Sequence, residues 1–261
     1  MNNLARYTLP VVRARELISQ LQIESPSEID IALIAAHKDA FVRDEELKGA
    51  DGRMIRSDGV AMITVRSSIP YPRQKRFVIA HELGHVLLHP NLMQLDEVTL
   101  DQASNWSLRQ SAPEIEANLF AAEILMPQPL FVPRIAKGEP SFALIKALAD
   151  EFNTTLTATA IQFIRYTNEE CVLVASSARQ RQWFSTSDRF DFWLHESTEI
   201  HGYTCAAELN PPEHTHVRAQ NVPAGCWLRD FSPEGKEYVT EDAICGSGGQ
   251  TLSLIWIHDA I

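Results

Sequence analysis

The chain has little of what a secreted, membrane-embedded or nucleic-acid-binding protein needs. Only four cysteines occur among 261 residues. All lie beyond residue 170 and none forms a CxxC pair, so neither a disulfide scaffold nor a zinc ribbon is indicated. No run of Lys or Arg exceeds two residues and the formal net charge is −11, which argues against a phosphate-binding surface of its own. No direct contact with nucleic acid is expected. The start, MNNLARYTLPVVRAREL, lacks the apolar core of a signal peptide, and no stretch approaches the ~20 apolar residues of a membrane span. A cytoplasmic location is expected. Internal repeats and low-complexity segments are absent too, which excludes solenoids and linkers.

What is present is an ordinary globular composition, 45% hydrophobic and 22% charged, enough to build a core. The apolar spacing predicts a first helix through Val11, Val12, Leu17, Ile18 and Leu21, and a second capped by Ser27. Short runs then follow at Ala40 to Leu47, Met54 to Ile55 and Val60 to Val65, with the turn Gly49-Ala50-Asp51-Gly52 between the first two. These predict a small antiparallel sheet. Arg73 to His89 reads as a long helix stopped by Pro90, and Pro113 to Met126 as another, closed by Pro127 and Pro129. A polar stretch, 91–111, separates them. Two further helices are predicted over Phe142 to Phe152 and Leu156 to Tyr166. Beyond Glu170 the pattern changes to short β-rich runs at Cys171 to Ala175, Gln182 to Ser185, Phe190 to Leu194 and Ser253 to Ile257. A domain boundary is placed near residue 169.

Chemistry concentrates in His81-Glu82-Leu83-Gly84-His85. Histidines at i and i+4 share one face of a helix, where both imidazoles reach a single ion at ~2.0 to 2.1 Å. Glu82 lies beside that face and suits a general base toward a water that the ion activates. A third ligand is needed. The metzincin pattern would place Gly and His at positions held by Leu88 and Asn91, so that class is excluded. In EIEANLFAAEILMP the candidates are Glu114, Glu116 and Glu123, with Glu116 favoured. Glu116 and Glu123 share a helix face and Glu114 points elsewhere. Glu123 is the alternative ligand, or else an outer partner that orients an imidazole or meets a basic side chain. Asn118 reads as a helix-surface residue before it reads as a partner of a ligand. His89 is ~12 Å along the helix from His81, too far to share the ion, and suits the terminal carbonyls instead. His214-x-His216 with the cysteines matches no known finger spacing, and the cysteines read as small core residues.

The blocks ARELISQL, GADGR, RQKRFVIAHELGHVLLH and EIEANLFAAEILMP, in that order, resemble the ImmA/IrrE metallopeptidases. The resemblance spans residues 14 to about 127 and weakens after about residue 170. It implies an α+β fold: a zincin-like helical peptidase domain with a small antiparallel sheet over residues 1–169, then a β-rich C-terminal domain over 170–261, regulatory or sensory in some relatives. It also implies a gluzincin-like zinc endopeptidase in which His81, His85 and Glu116 hold Zn²⁺, Mn²⁺ or another divalent ion being alternatives, and Glu82 is the catalytic base. Similar proteins cut a helix-turn-helix repressor and so act in transcription regulation and stress response. Some carry their own helix-turn-helix domain, and the segment ahead of the first predicted strand here is too short for one. The competing reading is a non-proteolytic regulator that binds a transcription factor and keeps the metal site for structure.

Overall fold

In the computed structural model, residues 4–90, 111–136, 138–209, 216–246 and 249–257 are described. The polar stretch predicted after Pro90 and His214 lie outside them. Two compact units emerge, Met1–Pro133 with Ala149–Ala158, and Arg134–Leu148 with Thr159–Ile261. Residue 169, where the sequence suggests a boundary, falls within the second.

In the first unit, α1 (Leu4–Gln20) precedes a 3-10 turn (Pro26–Glu28) and α2 (Ile31–Ala36). Asp30, not Ser27, caps α2, its carboxylate accepting from the amides of Ala32 and Leu33. That satisfies two of the donors a helix start leaves open. Three strands follow, β1 (Ala40–Glu45), β2 (Gly52–Ser57) and β3 (Val60–Arg66), in the order β1-β3-β2.

The sheet is mixed rather than wholly antiparallel, because β1 runs parallel to β3 while β2 pairs antiparallel with it. Two local causes act here. Asp58 and Gly59 both take positive φ, 51° and 84°, between the paired residues Ser57 and Val60. This two-residue loop matches a type I′ turn and fixes β2 against β3. Strand β3 buries Ala61, Ile63, Thr64 and Val65 and so takes the centre, leaving polar β1 for the far edge.

Helix α3 (Pro72–Leu88) carries HELGH, and His89 is its C-cap. Arg56 of β2 donates to the carbonyl of Val86 and, at 3.5 Å, to that of Pro90, supplying donors where the helix end lacks them. Helix α4 (Ala112–Leu125) is apolar on nearly every side and buried from Ala117 onward, as expected of a helix with neighbours all round. Gly84 lets α3 and α4 meet closely: a Cβ there would lie 3.1 Å from Cα of Ala117. Ala14, Leu17 and Ile18 of α1, Ile63 and Val65 of β3, Leu83 of α3 and Phe120 and Ile124 of α4 belong to one core.

Three helices then follow, α5 (Gln128–Ile135), α6 (Phe142–Glu151) and α7 (Leu156–Tyr166), and the division into units falls within all three. Helix α5 is unanticipated. Its prolines suggest a stop, yet Pro129 sits in the first turn, where a missing N–H costs nothing.

In the second unit, β4 (Cys171–Ser177), β5 (Gln180–Thr186), β6 (His216–Pro223), β7 (Tyr238–Cys245) and β8 (Thr251–Trp256) form an antiparallel sheet in the order β5-β4-β8-β7-β6. Every residue of β8 is buried, which suits its central place. Strands β6 and β7 were not foreseen, being polar in alternation and interrupted by a register shift. The expected strand over Phe190 to Leu194 is reduced to an isolated bridge between Leu194 and Leu228. A buried glutamate, Glu241 of β7, accepts from the amides of Cys205 (2.9 Å) and Ala206 (3.0 Å) of the short helix α8 (Cys205–Glu208), from Trp227 Nε1 (3.0 Å) and from Ser253 Oγ (2.9 Å). Its carboxylate ties strand, helix and loop together. No described helix is long and apolar enough to cross a membrane.

Candidate metal centre

Helix α3 presents His81 and His85 one turn apart, and both are buried, as is Glu82. Their Nε2 atoms lie 3.0 Å apart. The carboxylate that meets them comes from the first turn of α4 and belongs to Glu114: Oε2 is 3.1 Å from His81 Nε2 and Oε1 is 3.4 Å from His85 Nε2. Among the described residues, His81, His85 and Glu114 form the one group of three donors close enough to share an ion.

These separations suit a metal. Donors held ~2.0 to 2.1 Å from a tetrahedral ion stand about 3.3 to 3.4 Å from one another. Glu114 Oε2 is moreover buried without a hydrogen bond of sound geometry, a costly state for a carboxylate oxygen unless a cation completes it.

The favoured third ligand, Glu116, stands elsewhere. Its Oε2 is 2.9 Å from His89 Nε2, and His89 Nδ1 is 3.0 Å from His85 Nδ1. The helical period explains the difference, since Glu114 and Asn118, four apart, share the face of α4 turned to His81, and Glu116 is rotated away from it. Asn118 is fully buried, not a surface residue, and its Oδ1 is 2.9 Å from His81 Nδ1. Glu123 is outside the cluster as well. It accepts from Arg15 Nε at 2.7 Å and from the Gln128 amide at 3.0 Å, fastening α1 and the start of α5 to α4. The sequence offered one signal for Glu114: its i, i+4 pairing with Asn118 mirrors that of His81 with His85.

Gly52, the first residue of β2, is a site residue that sequence reading treated only as a turn. A Cβ there would fall 2.6 Å from Glu82 Oε1 and 2.6 Å from Val78 Cγ1. Glycine thus leaves the room that the Glu82 carboxylate occupies.

The electrostatics separate the four groups. Burial opposes charge on His81, but its close contact with the Glu114 carboxylate, the charges of Glu82 and Glu114 and the Asn118 contact outweigh it and raise its pKa. Burial dominates at His85 and lowers its pKa to about 4, so that ring is neutral near pH 7. Glu114 is held well below the usual carboxylate range: burial pushes it up, and the two histidines more than reverse this. Burial raises Glu82 to about 7, with His81 opposing and Glu114 assisting. The point among His81, His85 and Glu114 therefore favours positive charge, and Glu82 can exchange a proton near neutrality.

The second unit offers no comparable centre among its described residues. One of its cavities, of about 320 Å³, is lined by Arg179, Arg181, His201, Cys226 and Trp227, among others, but no third metal donor joins Cys226 and His201 there. Burial pushes the Cys205 thiol up to about 12 and that of Cys226 to about 11, and Cys171 rises too, so these are protonated core groups. His216 pairs with Asp242 at 2.7 Å.

An HExxH helix crossed by a second helix that completes a buried His-His-Glu group defines the metallopeptidase class. Residues 35–163 match the IrrE N-terminal-like domain of the M78 peptidases. These residues form a domain of that family, as the sequence resemblance implied. A solved structure of a Mycobacterium tuberculosis transcriptional regulator shares the fold at a TM-score of 0.58 and 15% identity, with 94% of this chain and 86% of that one covered. No curated protein sequence matches.

Proposed function

We propose that this chain is a zinc-dependent endopeptidase that hydrolyses one peptide bond in a helix-turn-helix transcriptional repressor. The observation that carries the peptidase reading is the convergence of His81, His85 and Glu114 beside the Glu82 carboxylate. In this reading the three converging side chains hold the ion. When bound, Zn²⁺ supplies Lewis acidity, polarising the scissile carbonyl and making water a nucleophile near pH 7. Everything else falls to the protein. Glu82 takes the proton of the attacking water and delivers it to the departing amine, a task for the carboxyl buried beside His81 and Glu114. Asn118 accepts from His81 Nδ1 and leaves the Nε2 lone pair free for the ion. Gly52 keeps β2 clear of the Glu82 carboxylate. The repressor as substrate rests on the family resemblance, and the acidic chain suits a basic, DNA-binding partner.

The test is incubation of wild type and Glu82→Gln with the helix-turn-helix protein encoded beside the gene, with metal content measured for both. Cleavage by wild type alone, with metal in each, supports the proposal. Metal in each and cleavage by neither supports instead a regulator that acts by binding.

A further inference from the structure

We propose that His89 and Glu116 are positioning residues which, acting in series, fix the tautomer of His85 and turn its Nε2 lone pair toward the ion. The proposal rests on the reading of His81, His85 and Glu114 as a metal site. Three observations carry it. The side chains form a chain of short contacts, Glu116 Oε2 to His89 Nε2 at 2.9 Å and His89 Nδ1 to His85 Nδ1 at 3.0 Å. All of them are largely shielded, with side-chain exposures of 20% for Glu116, 10% for His89 and 1% for His85. And the far nitrogen of His85, Nε2, is the atom that faces His81 and Glu114.

With Nε2 of His85 kept for the ion, the inventory of donors and acceptors fits one arrangement. An ionised carboxylate only accepts, so His89 must carry its proton on Nε2. His89 Nδ1 then meets His85 as an acceptor, and His85 donates to it from its own Nδ1. That leaves Nε2 of His85 unprotonated, as a metal ligand requires. Glu116 therefore biases the tautomer of His85 through His89, the ring that touches it. Helix geometry makes this available: His89 is one turn beyond His85, and as the C-cap of α3 it has left helical φ and ψ.

The test compares Zn²⁺ affinity, by competition with a chromophoric chelator, in the full-length wild type and in His81→Ala, His89→Ala, His89→Asn and Glu116→Ala. The asparagine oxygen sits near the place of the imidazole Nδ1 and restores an acceptor for His85. His89→Ala is expected to weaken binding roughly 10- to 100-fold. His89→Asn should recover to within about threefold of wild type, and Glu116→Ala should fall between them. Thermal midpoints of the metal-free proteins serve as the check on folding. Wild-type affinity in His89→Ala overturns the proposal while leaving the metal site standing, and so does His89→Asn binding as weakly as His89→Ala. If wild type binds no better than His81→Ala, the metal site itself fails.

Discussion

Replacing Gly84 with alanine tests how the site is assembled without touching a ligand. The new Cβ would lie 3.1 Å from Ala117 Cα and 3.3 Å from both the Ala117 carbonyl oxygen and Phe120 Cδ1. Two of these atoms belong to the backbone of α4, so relief requires α3 and α4 to separate by a few tenths of an ångström. Such overpacking costs about 1 to 3 kcal/mol. Alanine is also the better helix former, by about 1 kcal/mol, so the net loss of stability in the metal-free protein is about 0 to 2 kcal/mol. Metal binding has no such offset. His81 and His85 stand on α3 and Glu114 on α4, and ligand distances tolerate only ~0.2 Å. The ion restores the close approach that the metal-free variant relaxes. Its affinity should therefore fall by whatever part of the clash the metal-free variant relieves and the ion reimposes, at most about 150-fold. Chelator competition measures the affinity and thermal denaturation of the metal-free protein the stability. A Gly84→Ala protein with wild-type affinity would refute the claim that this contact sets the distance from Glu114 to the histidines.

Glu82 has its pKa raised from 4.5 to about 7 in the metal-free protein. The stability that a raised carboxyl contributes is complete below about pH 4.5 and is lost as pH climbs through 7. Metal-free Glu82→Gln should therefore melt higher than wild type at pH 8, by on the order of 2 to 3 kcal/mol, with the gap closing by pH 5; a gap independent of pH would contradict the assignment. Asn118→Leu should weaken Zn²⁺ binding roughly 10- to 100-fold in the same chelator assay by removing the acceptor from His81, and unchanged affinity would show that the contact is idle. Glu241→Gln turns an amide NH₂ toward N–H donors that now meet a carboxylate. Denaturant titration should report a loss of about 1 to 3 kcal/mol, and a neutral outcome would mean that the buried carboxyl is already protonated.

The helix bearing His81, Glu82 and His85 was legible because its signals are local: histidines at i and i+4, an apolar flank and prolines at both ends. The third donor was not, because choosing among Glu114, Glu116 and Glu123 depends on how α4 is rotated against α3. Burial on nearly every side of α4 removes the amphipathic stripe from which that rotation could be read. The burial of Asn118 is hidden for the same reason. Gly52 reads as a turn residue because only the packed structure brings β2 against Glu82. The direction of β1 was hidden likewise, since a polar edge strand carries no mark of the neighbour it pairs with. In the second unit, β4 and β8 announced themselves as apolar runs, while β6 and β7 are polar enough to pass for loops.

The most direct test is the metal content of wild type, Glu114→Ala and Glu116→Ala after loading with Zn²⁺ and gel filtration. The account predicts one equivalent in wild type, none in Glu114→Ala, and bound metal of reduced affinity in Glu116→Ala. Metal retained by Glu114→Ala and lost by Glu116→Ala would contradict it.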